Sequence, residues 1–120
     1  MVPPRPLRVL GAWSCIVGLA VLSLIPKDHM LRTGFGGHIE HILAYLGTAL
    51  VVASAYGATR RLHIVSGLIG YAGTLELLQN FSPGRTPAVE DFASSSIGVL
   101  LGTALFTVAG RLVLMRDPRA

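Results

Sequence analysis

Three side chains stand out as candidates to move a proton: His41 in "HIEHILAYLG", Glu76 in "ELLQNF" and Asp91 in "VEDFASSS". An imidazole paired with a carboxylate is the common general-base arrangement, which makes these the catalytic candidates. Arg85 lies in "SPGRTP", where Pro83-Gly84 marks a turn and prolines restrict the chain on both sides of it. Its planar guanidinium suits bidentate capture of a carboxylate or phosphate and could stabilise developing negative charge. Tyr45, Gln79 and Ser95 add a phenol, an amide and a hydroxyl that could orient a bound group. A nucleophile is less evident: Ser94, Ser95 and Ser96 follow Asp91 without the surroundings of a nucleophile elbow. His38 and His41, three apart, could share a metal with Glu76, but nothing else in the sequence calls for a metal or cofactor and none is expected.

The elements that carry these groups are apolar. Of 120 residues, 52% are hydrophobic and 13% charged, against about 25% charged in a soluble domain. That places the chain in the membrane class and leaves no room for a soluble catalytic domain. The net charge of +4 comes mainly from arginines near segment ends, with no basic stripe or aromatic reader pattern, so a nucleic-acid partner is not expected. Cys15 is the single cysteine, in an apolar run, and reads as inert filler.

Four apolar segments stand out, at 9–25, 38–57, 62–81 and about 92–115. Each can cross a hydrocarbon core of about 30 Å at about 1.5 Å per residue. In lipid the backbone must satisfy itself, and no barrel-type alternation appears, so the segments should be helices. The expected fold is all-α: a polytopic bundle of four transmembrane helices. It divides into a tail at 1–8, a first span at 9–25, a three-span unit at 38–110 and a tail at 111–120. The first segment follows a basic stretch as a signal peptide would, but it ends "SLIPKDHM" with no small-x-small site, so a retained span is expected.

Orientation follows from Lys and Arg in the short loops. With a cytoplasmic N-terminus, Arg5, Arg8, Arg60, Arg61, Arg111, Arg116 and Arg119 lie inside, and Lys27, Arg32 and Arg85 lie outside. Seven against three places both termini in the cytoplasm. The second helix then begins, the third ends and the fourth begins at the outer face. His41, Glu76, Gln79, Arg85 and Asp91 all fall there.

Helical spacing sharpens this convergence. His38, His41, Tyr45 and Thr48 share one face of the second helix. Small residues should let the helices approach closely: Gly70 and Gly73 on the third, Gly98 and Gly102 in "GVLLG" on the fourth. An ionised acid near mid-membrane costs about 2.5–3.5 kcal/mol on insertion scales, so Glu76 needs a partner, with Arg85 and His41 as the candidates. Asp91 could cap the fourth helix.

At these residues the chain resembles the VanZ-like family of small bacterial membrane proteins. The resemblance is carried by His41, Ala44, Tyr45 and Gly47 in "EHILAYLGT". It continues through Glu76, Gln79, Pro83, Gly84 and Arg85 in "ELLQNFSPGR", then Asp91, Gly98 and Gly102 in "DFASSSIGVLLG". Ser95 stands where the family pattern has asparagine, keeping a hydroxyl and losing the amide. The resemblance implies a multi-pass protein of the bacterial cytoplasmic membrane. The founding member is associated with resistance to the glycopeptide teicoplanin; membership implies no particular reaction.

Three functions fit the one-sided cluster. An outward-facing polar pocket would bind an anionic or lipid-linked cell-envelope component, with His41, Tyr45, Glu76, Gln79, Arg85, Asp91 and Ser95 as its binding residues. An intramembrane hydrolase or transferase would use His41 as base, Glu76 or Asp91 as its acid partner and Arg85 as charge stabiliser. Alternatively, the polar groups serve only to lock helix ends together, although such pairs contribute only about 0.6 kcal/mol each in membranes.

Overall fold

The computed structural model describes residues 1–116. Among these the chain has no strand and folds as four α-helices: α1 (Arg5–Leu24), α2 (Gly37–Tyr56), α3 (Arg61–Leu78) and α4 (Val89–Arg116). Short 3-10 turns at Lys27–His29, Ala58–Arg60 and Gln79–Phe81 connect them. α1, α2 and α4 are long and apolar enough to cross a membrane. α3, the other expected span, is 18 residues long and falls outside that class. Arg61, His63 and Glu76 interrupt its apolar run.

The helix limits have local causes. α1 begins at Arg5, inside the stretch expected as a tail, because Pro6 falls in the first turn, where a missing N–H costs nothing. It stops at Leu24, and Ile25 is extended ahead of Pro26. Gly36 and Gly57 bracket α2 with φ of 94° and 89°, a left-handed region that disfavours side chains. The Gly57 N–H caps α2 on the Ala53 carbonyl at 2.8 Å. α4 continues to Arg116, so 111–116 is helical; the remainder of the expected tail, 117–120, lies outside the described residues.

The core is narrow and built largely from small side chains: Ala12 of α1, Ala49 and Ala53 of α2, Ala72 of α3 and Val99 of α4 are all buried. Small residues let backbones approach, which is how helices associate where lipid is as apolar as the interface. The closest approach is between α2 and α4. A Cβ on Gly98 would collide with the Ile42 carbonyl oxygen, and one on Gly102 would lie 2.5 Å from the Leu46 carbonyl oxygen. On α3 the pattern divides. A Cβ on Gly73 would come within 3.3 Å of the Phe92 ring, whereas one on Gly70 would meet nothing within 4 Å. The tight contact therefore rests on Gly98 and Gly102, and Gly70 takes no part in it.

α1 lies antiparallel along α2. Its first half is held there by three contacts: Arg8 donates to the Ser54 carbonyl, Trp13 Nε1 donates to the Tyr56 hydroxyl at 2.9 Å, and Gly11 sits against Val51. Tyr71 of α3 donates to the Ile16 carbonyl of α1. At the opposite end of the bundle, the C-terminal ends of α1 and α3 meet the N-terminal ends of α2 and α4.

Candidate functional site

Those four helix ends bring the expected polar residues together. Glu76 stands on α3 two residues before its end and is buried. Its carboxylate accepts the backbone N–H of Ala88 at 2.8 Å, not a bond from Arg85 or His41. The Ala88 carbonyl in turn accepts the N–H groups of Asp91 and Phe92, each at 3.2 Å, and so starts α4. Glu76 thus fixes the turn from which Asp91 projects, and is a positioning group. Glu76→Ala leaves the Ala88 N–H without its partner and should lower stability by about 1–3 kcal/mol. Glu76→Gln retains a carbonyl acceptor and should recover most of that loss. Equilibrium unfolding of both variants in detergent checks the order.

Asp91 faces two histidines, one with each carboxylate oxygen. Oδ1 is 3.4 Å from His38 Nδ1 and Oδ2 is 3.8 Å from His41 Nε2. Each imidazole also has a serine beside it: Ser94 Oγ lies 3.4 Å from His38 Nδ1 and Ser95 Oγ lies 3.1 Å from His41 Nδ1. The helical repeat explains the pairing. The histidines are three apart on α2, and the serines are three and four residues beyond Asp91 on α4. Ser95 is 2% exposed, too deeply enclosed to serve as an accessible nucleophile; it can hold the His41 ring in place. Ser94 donates to the Glu90 carbonyl at 2.8 Å. Glu76 does not complete a metal set with His38 and His41; among the described residues no three His, Cys, Asp or Glu side chains are gathered as metal ligands.

Arg85 has a partner that the sequence did not suggest, the end of α1. Its Nη2 donates to the Ser23 carbonyl at 3.0 Å, and Nη1 faces the Met30 sulfur. Ser82 Oγ donates to the neighbouring Leu24 carbonyl at 2.7 Å. The last carbonyls of a helix lack intrahelical donors and carry the negative end of its dipole, so a guanidinium and a hydroxyl suit them. Gly84 permits the turn with φ of 75°, and a Cβ there would approach Lys27 Cβ to 3.0 Å. Among the described residues, no carboxylate forms an ion pair with Arg85. It remains half-buried with neutral acceptors and spare N–H donors.

These groups border a cavity of about 650 Å³. His41, Tyr45, Gln79, Arg85 and Asp91 line it, while Glu76 and Ser95 stand behind its wall. Tyr45 and Gln79 are each 2% exposed. Sequence reasoning did not anticipate the contribution of α1 and the loop after it: Leu19, Leu22, Ser23, Lys27 and Met30 also line the cavity. Nor did it anticipate the rim formed by Arg32 and Glu40, 3.5 Å apart. Glu40 also accepts the Thr33 N–H and hydroxyl, both at 2.8 Å, holding that loop over the start of α2. An eight-residue separation between opposite charges carries no helical meaning, so no spacing signal marked the pair.

The lining is amphipathic. Lys27, Arg32 and Arg85 supply three cations against the two acids Glu40 and Asp91. Glu40 is paired with Arg32 and Asp91 with the histidines, which leaves Lys27 and Arg85 as cations without a carboxylate among the described residues. No family model, curated protein or solved structure matches this chain.

Proposed function

We propose that this chain is a VanZ-like protein of the bacterial cytoplasmic membrane whose cavity faces outward and binds an anionic or lipid-linked component of the cell envelope. In this reading α3 is a fourth span, sheltered by the bundle, and both termini are cytoplasmic. The observation that carries it is Arg85, half-buried at the cavity and without a carboxylate partner among the described residues, alongside Lys27. A cation withdrawn from water is costly without an opposite charge, and phosphate or carboxylate would supply both the charge and a match to the guanidinium fork.

His41 favours a second reading, an intramembrane hydrolase or transferase. Its ring lies between Asp91 and Ser95 at the cavity wall, as a general base requires. Part of the cluster is structural in either case, because Glu76 holds Ala88 and Arg85 holds Ser23.

Mass spectrometry of lipids and anions co-purifying with the protein tests the binding reading. An envelope-derived anion should accompany the wild type and be absent from Arg85→Ala. Identical profiles from the two proteins would count against it. Reporter fusions test the topology: a fusion after Arg61 should report cytoplasm and one after Arg85 the outside. An outside signal at Arg61 would invert the arrangement and remove the outward cavity.

A further inference from the structure

We infer that the cavity's ligand is a membrane-resident amphiphile that enters sideways between α1 and α2, its anionic phosphate head reaching Arg85 and its chain leaving through an apolar gap. This deepens the anion-binding reading of the same cavity and rests on it.

The path of the two helices carries the inference. In its first half α1 is bound to α2 by the Arg8, Gly11 and Trp13 contacts. Toward its other end the cavity separates the two. Leu19 and Leu22 line it from α1, and Leu43 and Ala44 line it from α2. Leu22 is 51% exposed and Leu43 is 54% exposed, and Ala44 is exposed with them. The residues that border the cavity here therefore lie on the flank of the bundle, within helices long and apolar enough to lie in lipid.

Polarity changes along the cavity. Lys27 and Arg85 lie at the helix ends, beyond the last turn of α1. Leu43 lies six residues into α2, about 9 Å along its axis. A lipid whose head lies at the helix ends has the same sequence of chemistry, charge first and hydrocarbon after. The volume, about 650 Å³, falls in the range of about 300–1,000 Å³ typical of ligand sites and exceeds what a lone phosphate needs. Leu22 also continues into a shallow groove on the outer face of α1, past Val21, Gly18, Val17 and Ser14 to Trp13. A Cβ on Gly18 would meet nothing within 4 Å, so the groove has an open floor where a chain can lie. A water-soluble anion has no use for this apolar gap. A lipid cannot place its head in the cavity without one.

The test uses the full chain in phosphatidylcholine nanodiscs, with phosphatidic acid and glycerol 3-phosphate as probes. Ala44→Trp and Leu22→Trp each fill the gap from an exposed position and leave the core untouched. Phosphatidic acid should bind at least tenfold more tightly than glycerol 3-phosphate. Both tryptophan variants, once shown by thermal unfolding to be folded, should lose at least tenfold in phosphatidic acid affinity and lose less for glycerol 3-phosphate. Equal affinity for the two probes, or full lipid binding in both folded tryptophan variants, would overturn lateral entry while leaving anion binding at Arg85 in place. Failure of both probes to bind, with Arg85→Ala indistinguishable from wild type, would overturn the anion-binding reading itself.

Discussion

Replacing Gly98 or Gly102 with leucine is expected to separate α2 from α4 and leave little folded protein. Even one added carbon at these positions meets backbone: the Ile42 carbonyl for Gly98, the Leu46 carbonyl for Gly102. Backbone cannot rotate away as a side chain can, so relief requires the whole of α2 to shift. Overpacking of this kind costs about 1–3 kcal/mol in ordinary cores, and a leucine at a backbone contact should reach or exceed the upper end. The consequences extend to the site, because this contact holds His41 opposite Ser95 and Asp91. Gly73→Ala should cost less, since the Phe92 ring can turn aside. Gly70→Ala enters open space and should be neutral or stabilising by up to about 1 kcal/mol, the helix-propensity difference between glycine and alanine. Unfolding midpoints and monodispersity in detergent rank the four positions. A stable, monodisperse Gly98→Leu protein would show that α2 and α4 do not approach as described.

The second large effect is expected at Arg85. Under the anion-binding reading, Arg85→Ala removes hydrogen bonds to a charged group, about 1.5–3 kcal/mol, which is roughly a ten- to hundredfold loss of affinity. It also removes the donor on the Ser23 carbonyl, so stability should fall together with binding. The two losses can be separated. Arg85→Lys keeps the charge but has no planar fork, and cannot hold Ser23 and a ligand in the way a guanidinium does. It should retain part of the affinity and recover little of the stability. A polar cluster serving only to join helix ends would behave differently: Arg85→Ala would lower the unfolding midpoint and leave anion binding unchanged.

That these polar residues gather at one end of the bundle could be read from the sequence, but their partners could not. Consecutive helices joined by short loops run antiparallel. The start of α2, the end of α3 and the start of α4 must therefore share one end of the bundle. Helical spacing then places His41 and Tyr45 on one face and Asp91 and Ser95 on another. What escaped was any bond to backbone. Glu76 is satisfied by the Ala88 N–H and Arg85 by the Ser23 carbonyl, groups that every residue carries and that leave no mark in a sequence. The role of α1 escaped for the same reason: its Ser23 acts through its carbonyl, and Leu19 and Leu22 resemble any other leucines in a span. Glycines marked where helices could approach, not where they do. The rotation of α4 turns Gly98 and Gly102 onto α2, while that of α3 leaves Gly70 facing outward. Length and hydrophobicity together predict a third span over 62–81. In the structure α3 keeps the helix but, with Arg61, His63 and Glu76 in or beside its apolar run, falls outside the membrane-crossing class.

The central claim is that Arg85 holds an anionic headgroup in this cavity. Titrating phosphatidic acid into nanodiscs containing the wild type or Arg85→Ala tests it most directly, with thermal unfolding run on the same samples. Saturable binding by the wild type, weakened at least tenfold in an Arg85→Ala protein that remains folded, is the predicted result. Saturable binding of equal affinity in both, or none in either, would contradict it.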